Sequence, residues 1–298
     1  MGISYSLFSR ASNLSPPGIA LAAGSAFVDN GKYYGAYVNE LVGTLLMIGL
    51  TFSPGKWIGQ DSLPVAWVAH AIGVVLADYI GGGPNVNPAV SVSMFALGKF
   101  SYTEMYVRIA GAMTGGLVAF PLFQTLTDTL SWEPLGGPEF SLPDIEDDAP
   151  ERSAAIATAF YSEFFAVFLL LFAIYILNWE LNFGKFHYWI KQPLTAIAIR
   201  YLIEVFPTAG PAMNPMLGTA WATFASGGDG GYPMDAAHYF VYWFAPCLAA
   251  VLASFVYVVY AGGTFFGETL PFGPIKQQTV VQEQQPQESN KKKDTKEE

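Results

Sequence analysis

Asn87-Pro88-Ala89 and Asn214-Pro215-Met216 occupy matching places in two apolar halves of this chain. Each follows a Gly-rich stretch, Gly81-Gly82-Gly83-Pro84 or Ala209-Gly210-Pro211-Ala212, and each precedes a short apolar run. Asn accepts hydrogen bonds from free amides and Pro suits the first turn, so each tripeptide reads as a helix start. A helix N-terminus carries unpaired amides and the positive end of the backbone dipole. Two such ends meeting in a narrow passage would offer two side-chain amides to a water or hydroxyl oxygen. A proton or metal cation would meet an electrostatic barrier there. Short helices in corresponding positions of a duplicated membrane protein point to a solute site near the bilayer midplane.

Two acids accompany the motifs. Glu40 lies in Asn39-Glu40-Leu41-Val42-Gly43-Thr44 and Glu163 in Ser162-Glu163-Phe164-Phe165-Ala166-Val167, both inside apolar runs. Glu40 precedes Asn87 by 47 positions and Glu163 precedes Asn214 by 51. Ionisable residues inside apolar spans are functional candidates. The preferred role is a brace: a carboxylate accepts backbone N–H bonds from the loops that precede the short helices. Proton-coupled transport is the alternative. Arg200 can pair with Glu204 one turn on. His70 either lines the passage and responds to pH or is a hydrogen-bonded interior histidine. His187 and His238 fall near run ends and read as interfacial. The three histidines are too scattered for a metal site, so no metal or other cofactor is expected. Cys247 is alone and reads as a small core hydrophobe.

The elements that must position these residues are apolar. The chain has 298 residues, 52% hydrophobic and 13% charged, against about a quarter charged in soluble domains. Long apolar runs at 34–53, 62–80, 103–126, 154–178, 191–206 and 236–261 are each about long enough for ~30 Å of hydrocarbon. The runs 88–98 and 215–225 are too short to span and read as half-helices, tolerated at membrane depth only inside protein or beside a wet cavity. The expected fold is all-α: six transmembrane helices plus two re-entrant half-helices in an internal repeat. Three spans per half invert the second copy, so the half-helices enter from opposite sides. The expected divisions are an N-terminal segment 1–33, a channel domain 34–262 and a disordered tail 263–298. Within the channel domain, repeat one covers 34–126, an acidic loop 127–153 and repeat two 154–262. Ten of the fourteen Lys and Arg fall on the side that holds both termini, and Lys56 and Arg152 on the other. That bias puts both termini in the cytoplasm. Net charge is −10 with acids grouped in the loop and tail, which argues against a nucleic-acid partner.

With the paired motifs, the six-plus-two pattern and the two acids in place, the chain resembles the aquaporin, or major intrinsic protein, family. Gly83-Pro84-Asn85-Val86-Asn87-Pro88-Ala89-Val90-Ser91 resembles its first pore loop, and Tyr242-Trp243-Phe244-Ala245-Pro246 the aromatic stretch of its sixth helix. The resemblance implies a channel for water and small neutral solutes such as glycerol, and a homotetramer in membrane lipid with one pore per subunit. It implies a filter at Trp67, Leu202, Pro211 and Leu217, and a loop-bracing role for Arg108. Met216 stands where the family usually has Ala, and Leu217 where it usually has an arginine. These departures resemble the unorthodox, subcellular-type members. Arg200 then has a second reading, as a pore-mouth charge that replaces the missing arginine. Trp67 resembles glycerol facilitators. A secondary transporter and a structural membrane protein with a closed pore are the competing functions. No nucleophile–base pair or phosphate loop suggests an enzyme.

Overall fold

The computed structural model describes residues 31–52, 63–132, 135–138, 150–226 and 232–276. Expectations placed on 1–30, on Lys56, on the acids from Glu133 to Asp148 and on 277–298 lie outside those residues. The main helices are α1 Gly31–Thr51, α2 Leu63–Gly81, α3 Pro88–Ala96, α4 Tyr102–Thr129, α5 Pro150–Tyr175, α6 His187–Val205, α7 Pro215–Ala225 and α8 Ala236–Ala261. A π-helical turn, Ile176–Glu180, prolongs α5, and another, Phe240–Phe244, lies within α8. At ~1.5 Å per residue, α3 with 9 residues and α7 with 11 cover about half the hydrocarbon thickness.

α2, α4, the extended α5 and α8 are long and apolar enough to cross a membrane. α1 and α6 are comparably long, with 21 and 19 residues, but carry polar groups: Asn39 and Glu40 on one, His187, Lys191, Gln192, Arg200 and Glu204 on the other. The apolar run expected from 191 therefore belongs to a helix that starts at His187. Its polar first turn hides the start from a hydropathy reading.

Each half-helix rests on the last long helix of the opposite repeat. α3 packs on α8 and α7 on α4, while α1 crosses α4, α5 crosses α8, and α2 lies against α6. The symmetry of these pairings matches an inverted duplication. Close approach depends on small residues. Gly111 and Gly115, one turn apart on α4, face the Tyr37 and Leu41 carbonyls of α1, and an added Cβ would collide with both. Two apolar clusters result. One surrounds α7 with Ile48, Phe120, Met216, Trp221 and Tyr242; the other surrounds α3 with Met94, Leu171, Tyr175, Ala249 and Ala250.

The disorder expected from 263 onward does not extend to 264–276. Thr264–Phe265 pairs with Glu268–Thr269 as a small antiparallel hairpin. Its Phe266 amide donates to the Ala96 carbonyl at 2.7 Å, satisfying an otherwise unpaired group at the end of α3. Phe265 packs on Phe255 and Phe266 on Phe95. Lys276 donates to Glu180 at 2.6 Å, a bond that holds its ammonium pKa above the usual lysine value. Low apolar content over the tail as a whole concealed these three aromatic and ionic anchors.

Candidate functional site

The two motifs build the centre of the bundle in the same way. Asn87 Oδ1 accepts from the Ala89 amide at 2.9 Å, and Asn214 Oδ1 from the Met216 amide at 3.0 Å. Both asparagines have extended backbone, and Pro88 and Pro215 follow as the first helical residues. This is the capping chemistry that Asn-Pro encodes.

The side-chain nitrogens then cross between the repeats. Asn87 Nδ2 donates to the Met213 carbonyl and Asn214 Nδ2 to the Val86 carbonyl, each at 2.8 Å. An amide nitrogen carries two hydrogens, so a second N–H on each asparagine is left for another acceptor. Asn87 is 7% exposed and Asn214 5%.

Val86 and Met213 are held at both ends. Both have positive φ, 51° and 49°, a left-handed conformation unusual for a non-glycine residue and most costly for β-branched Val. Strain of this kind costs about 1–3 kcal/mol and persists only when the surroundings impose it. The imposing groups are the two acids. Glu40 Oε1 accepts from the Asn85 amide at 2.9 Å and Oε2 from the Val86 amide at 2.7 Å. Glu163 does the same for Ala212 at 2.8 Å and Met213 at 2.9 Å. Both acids are fully buried. The sequence reading passed over Val86 and Met213; their place directly before each motif asparagine was the available signal.

The braces differ in one respect. Arg108 Nη1 donates to Glu40 Oε1 at 2.8 Å, and its Nη2 pairs with Glu104 at 3.2 Å. The guanidinium also lies over the Phe100 ring. Arg108 thus acts on the first loop through Glu40 rather than directly. The described partners of Glu163 are backbone amides.

The residues expected at the filter fall in different settings. Leu217 packs beside Met216 and Trp221 in the α7 cluster, whereas Leu202 belongs to the cluster that includes Ala89 and Met213. Pro211 is buried in the loop that leads to Met213. Trp67 Nε1 donates to Glu204 Oε1 at 2.9 Å, and Arg200 Nε reaches the same oxygen at 3.1 Å. The Arg200–Glu204 pairing is therefore made, and Glu204 links it to α2, a link that sequence spacing alone did not reveal. Arg200 and Leu202, two residues apart, project from α6 roughly 200° apart. They cannot both face one lumen. His70 is buried beside Arg200 and the Ala196 backbone, and its Nδ1 lacks a partner among the described residues.

His238 lies in the first turn of α8, near the helix end as expected, and is buried there, within 3.1 Å of Thr219 Oγ1 on α7 and against the Tyr242 ring. The two helices pack there, so a position near a run end did not mean exposure. Among the described residues no group of His, Cys, Asp or Glu is arranged to hold a metal ion.

Glu204→Ala removes one acceptor from both Trp67 and Arg200. Because the Glu204 side chain is 32% exposed, the expected loss of stability is small, about 0.5–1 kcal/mol. Thermal unfolding in detergent would measure it.

Two half-helices joined at their N-terminal ends inside a bundle of six long helices define a pore-type integral membrane protein. The profile of the major intrinsic protein family matches residues 28–257, and the chain belongs to that family. Among similar proteins, an aquaglyceroporin of Plasmodium berghei is 24% identical over 239 residues, 76% of this chain and 90% of the relative. Human aquaporin-9 is 25% identical over 244 residues, 74% of this chain and 81% of the relative. The crystal structure of the Plasmodium falciparum aquaglyceroporin superposes with a TM-score of 0.57 at 22% identity, over 76% of this chain and 95% of that one. The fold is the aquaporin fold, and the chain is a membrane channel of this family.

Proposed function

We propose that this channel conducts water and small uncharged solutes, glycerol among them, passively past Asn87 and Asn214. The observation that carries the reading is the exchange of Asn87 Nδ2 and Asn214 Nδ2 between the repeats, which aims both amides at one place. An oxygen passing that point meets two N–H donors and two positive helix ends. A cation meets the same ends with its hydration partly stripped. The names of the aquaglyceroporin relatives support glycerol as a solute. Proton-coupled transport loses ground because the carboxylate oxygens of Glu40 and Glu163 are engaged by loop amides.

In this reading 34–262 is the channel domain, both termini lie in the cytoplasm, a placement the Lys and Arg bias supports, and four subunits assemble with one pore each. The outer filter is formed at Trp67, Leu202, Pro211 and Leu217, and is less polar than a filter with an arginine at 217. With Leu202 in the filter, Arg200 faces away from it on α6 and is held by Glu204, so it is not the replacement for the missing arginine.

The test is stopped-flow shrinkage and reswelling of proteoliposomes with a panel of osmolytes. Water shrinkage faster than in empty vesicles, followed by reswelling in glycerol, is expected; permeabilities equal to empty vesicles would reject the channel. Leu217→Arg should lower glycerol permeability more than water permeability, because it adds bulk and positive charge at the mouth. A glycerol-to-water ratio that stays flat or rises would remove Leu217 from the filter.

A further inference from the structure

The second motif ends in Met216, not alanine, yet Met216 is 0% exposed while the neighbouring Asn214 retains exposure. Its side chain therefore leaves the passage clear and goes elsewhere. A Cβ placed on Gly116 of α4 would run into Met216 Sδ, and would stand 3.1 Å from Met216 Cγ and from Ala220 Cβ. Met216 and Ala220 are one turn apart on α7 and face α4 together. The first motif is built the other way: Ala89 belongs to a cluster in which α8 offers Ala249, Ala250 and Ala253.

We infer that Gly116 is the counterpart of Met216, and that the two together set the position of α7 and so of Asn214 at the centre of the passage. Gly116 is a positioning residue: it acts on the solute path only through Met216 and the helix that carries it. Other contacts leave α7 little room to adjust. Gly218 lies against the Tyr242 ring and Gly137 against the Trp221 ring. Tyr242 is itself fixed by a 2.6 Å hydrogen bond to the Ala209 carbonyl. A methyl group added at 116 must bend Met216 or push α7. Shortening Met216 leaves an unfilled space beside α4 and frees α7 to shift. Making both changes exchanges a Gly–Met contact for an Ala–Ala contact and restores much of the fit.

The inference rests on the channel reading, and the experiment separates the two. Wild type, Gly116→Ala, Met216→Ala and the double variant are reconstituted in matched proteoliposomes. Water and glycerol permeabilities are measured, with thermal unfolding in detergent alongside. Each single variant is expected to lose roughly tenfold in glycerol permeability and less in water permeability, and to unfold at a lower temperature. The double variant should return to within about twofold of wild type in glycerol permeability and recover much of the melting temperature. If Gly116→Ala does not insert, a double variant that inserts and conducts supports the pairing. A double variant no better than the worse single variant, in flux and in melting temperature, overturns it. A wild type without flux rejects the channel reading instead, and the melting temperatures alone then decide whether the two residues are coupled.

Discussion

Replacing Glu163 with leucine is expected to abolish conduction and prevent stable assembly. The carboxylate holds the Ala212 and Met213 amides, one on each oxygen, in a fully buried position. Leucine has a similar size but no acceptor. Each stranded amide costs about 1–3 kcal/mol, and the left-handed backbone at Met213 loses what imposes it. The two amides together, about 2–6 kcal/mol, reach the lower end of the whole stability of many domains, about 5–15 kcal/mol. Glutamine would be mild if a single acceptor were enough. Two oxygens in use make it intermediate, since its nitrogen would confront one of the two N–H groups. Glu40→Gln should be the more harmful of the two glutamine changes, because Arg108 also loses one of its two anionic partners and keeps only Glu104. Size-exclusion profiles and thermal unfolding of detergent-solubilised protein measure the ranking leucine, glutamine, wild type. A Glu163→Leu protein with normal assembly and flux would refute the brace.

The second large effect belongs to the asparagines. Asn214→Ala removes the cap on Met216, the bond to Val86 and the donor presented to solute. Loss of a cap costs about 1 kcal/mol and loss of a hydrogen bond a similar amount. The protein should still insert, but water and glycerol permeability should fall at least tenfold. Asn214→Asp separates the roles. The carboxylate still caps α7, yet it turns an oxygen toward the Val86 carbonyl where a donor stood. It should therefore conduct no better than the alanine variant although its helix start is intact. Asn87→Ala and Asn87→Asp should repeat the pattern. Stopped-flow measurements at equal protein density decide it, and unchanged flux in both alanine variants would move the solute path away from the motifs.

Much of this was open to a reader of the chain. Long apolar runs announced the spanning helices, and Asn-Pro fixed the starts of α3 and α7 because capping is local chemistry. The two acids could be singled out because a carboxylate in an apolar run needs partners. Other features have no local signature. The contact of Trp67 with Glu204 joins residues 137 positions apart, and the room that Gly116 leaves for Met216 joins two helices that sequence spacing cannot pair. The start of α6 was blurred because His187, Lys191 and Gln192 make its first turns polar. The hairpin at 264–269 was missed because a few aromatic anchors hold it, not an apolar run.

The exchange of asparagine bonds has a consequence for how the molecule is made. Asn87 is emitted from the ribosome long before Met213, the carbonyl it needs, and Val86 waits for Asn214. Neither half can finish its own centre. In the first repeat the Asn87 amide nitrogen and the Val86 carbonyl therefore gain these partners only when the second repeat is in place. A duplication bound in this manner has lost the option of separating: each copy now carries the fastener for the other.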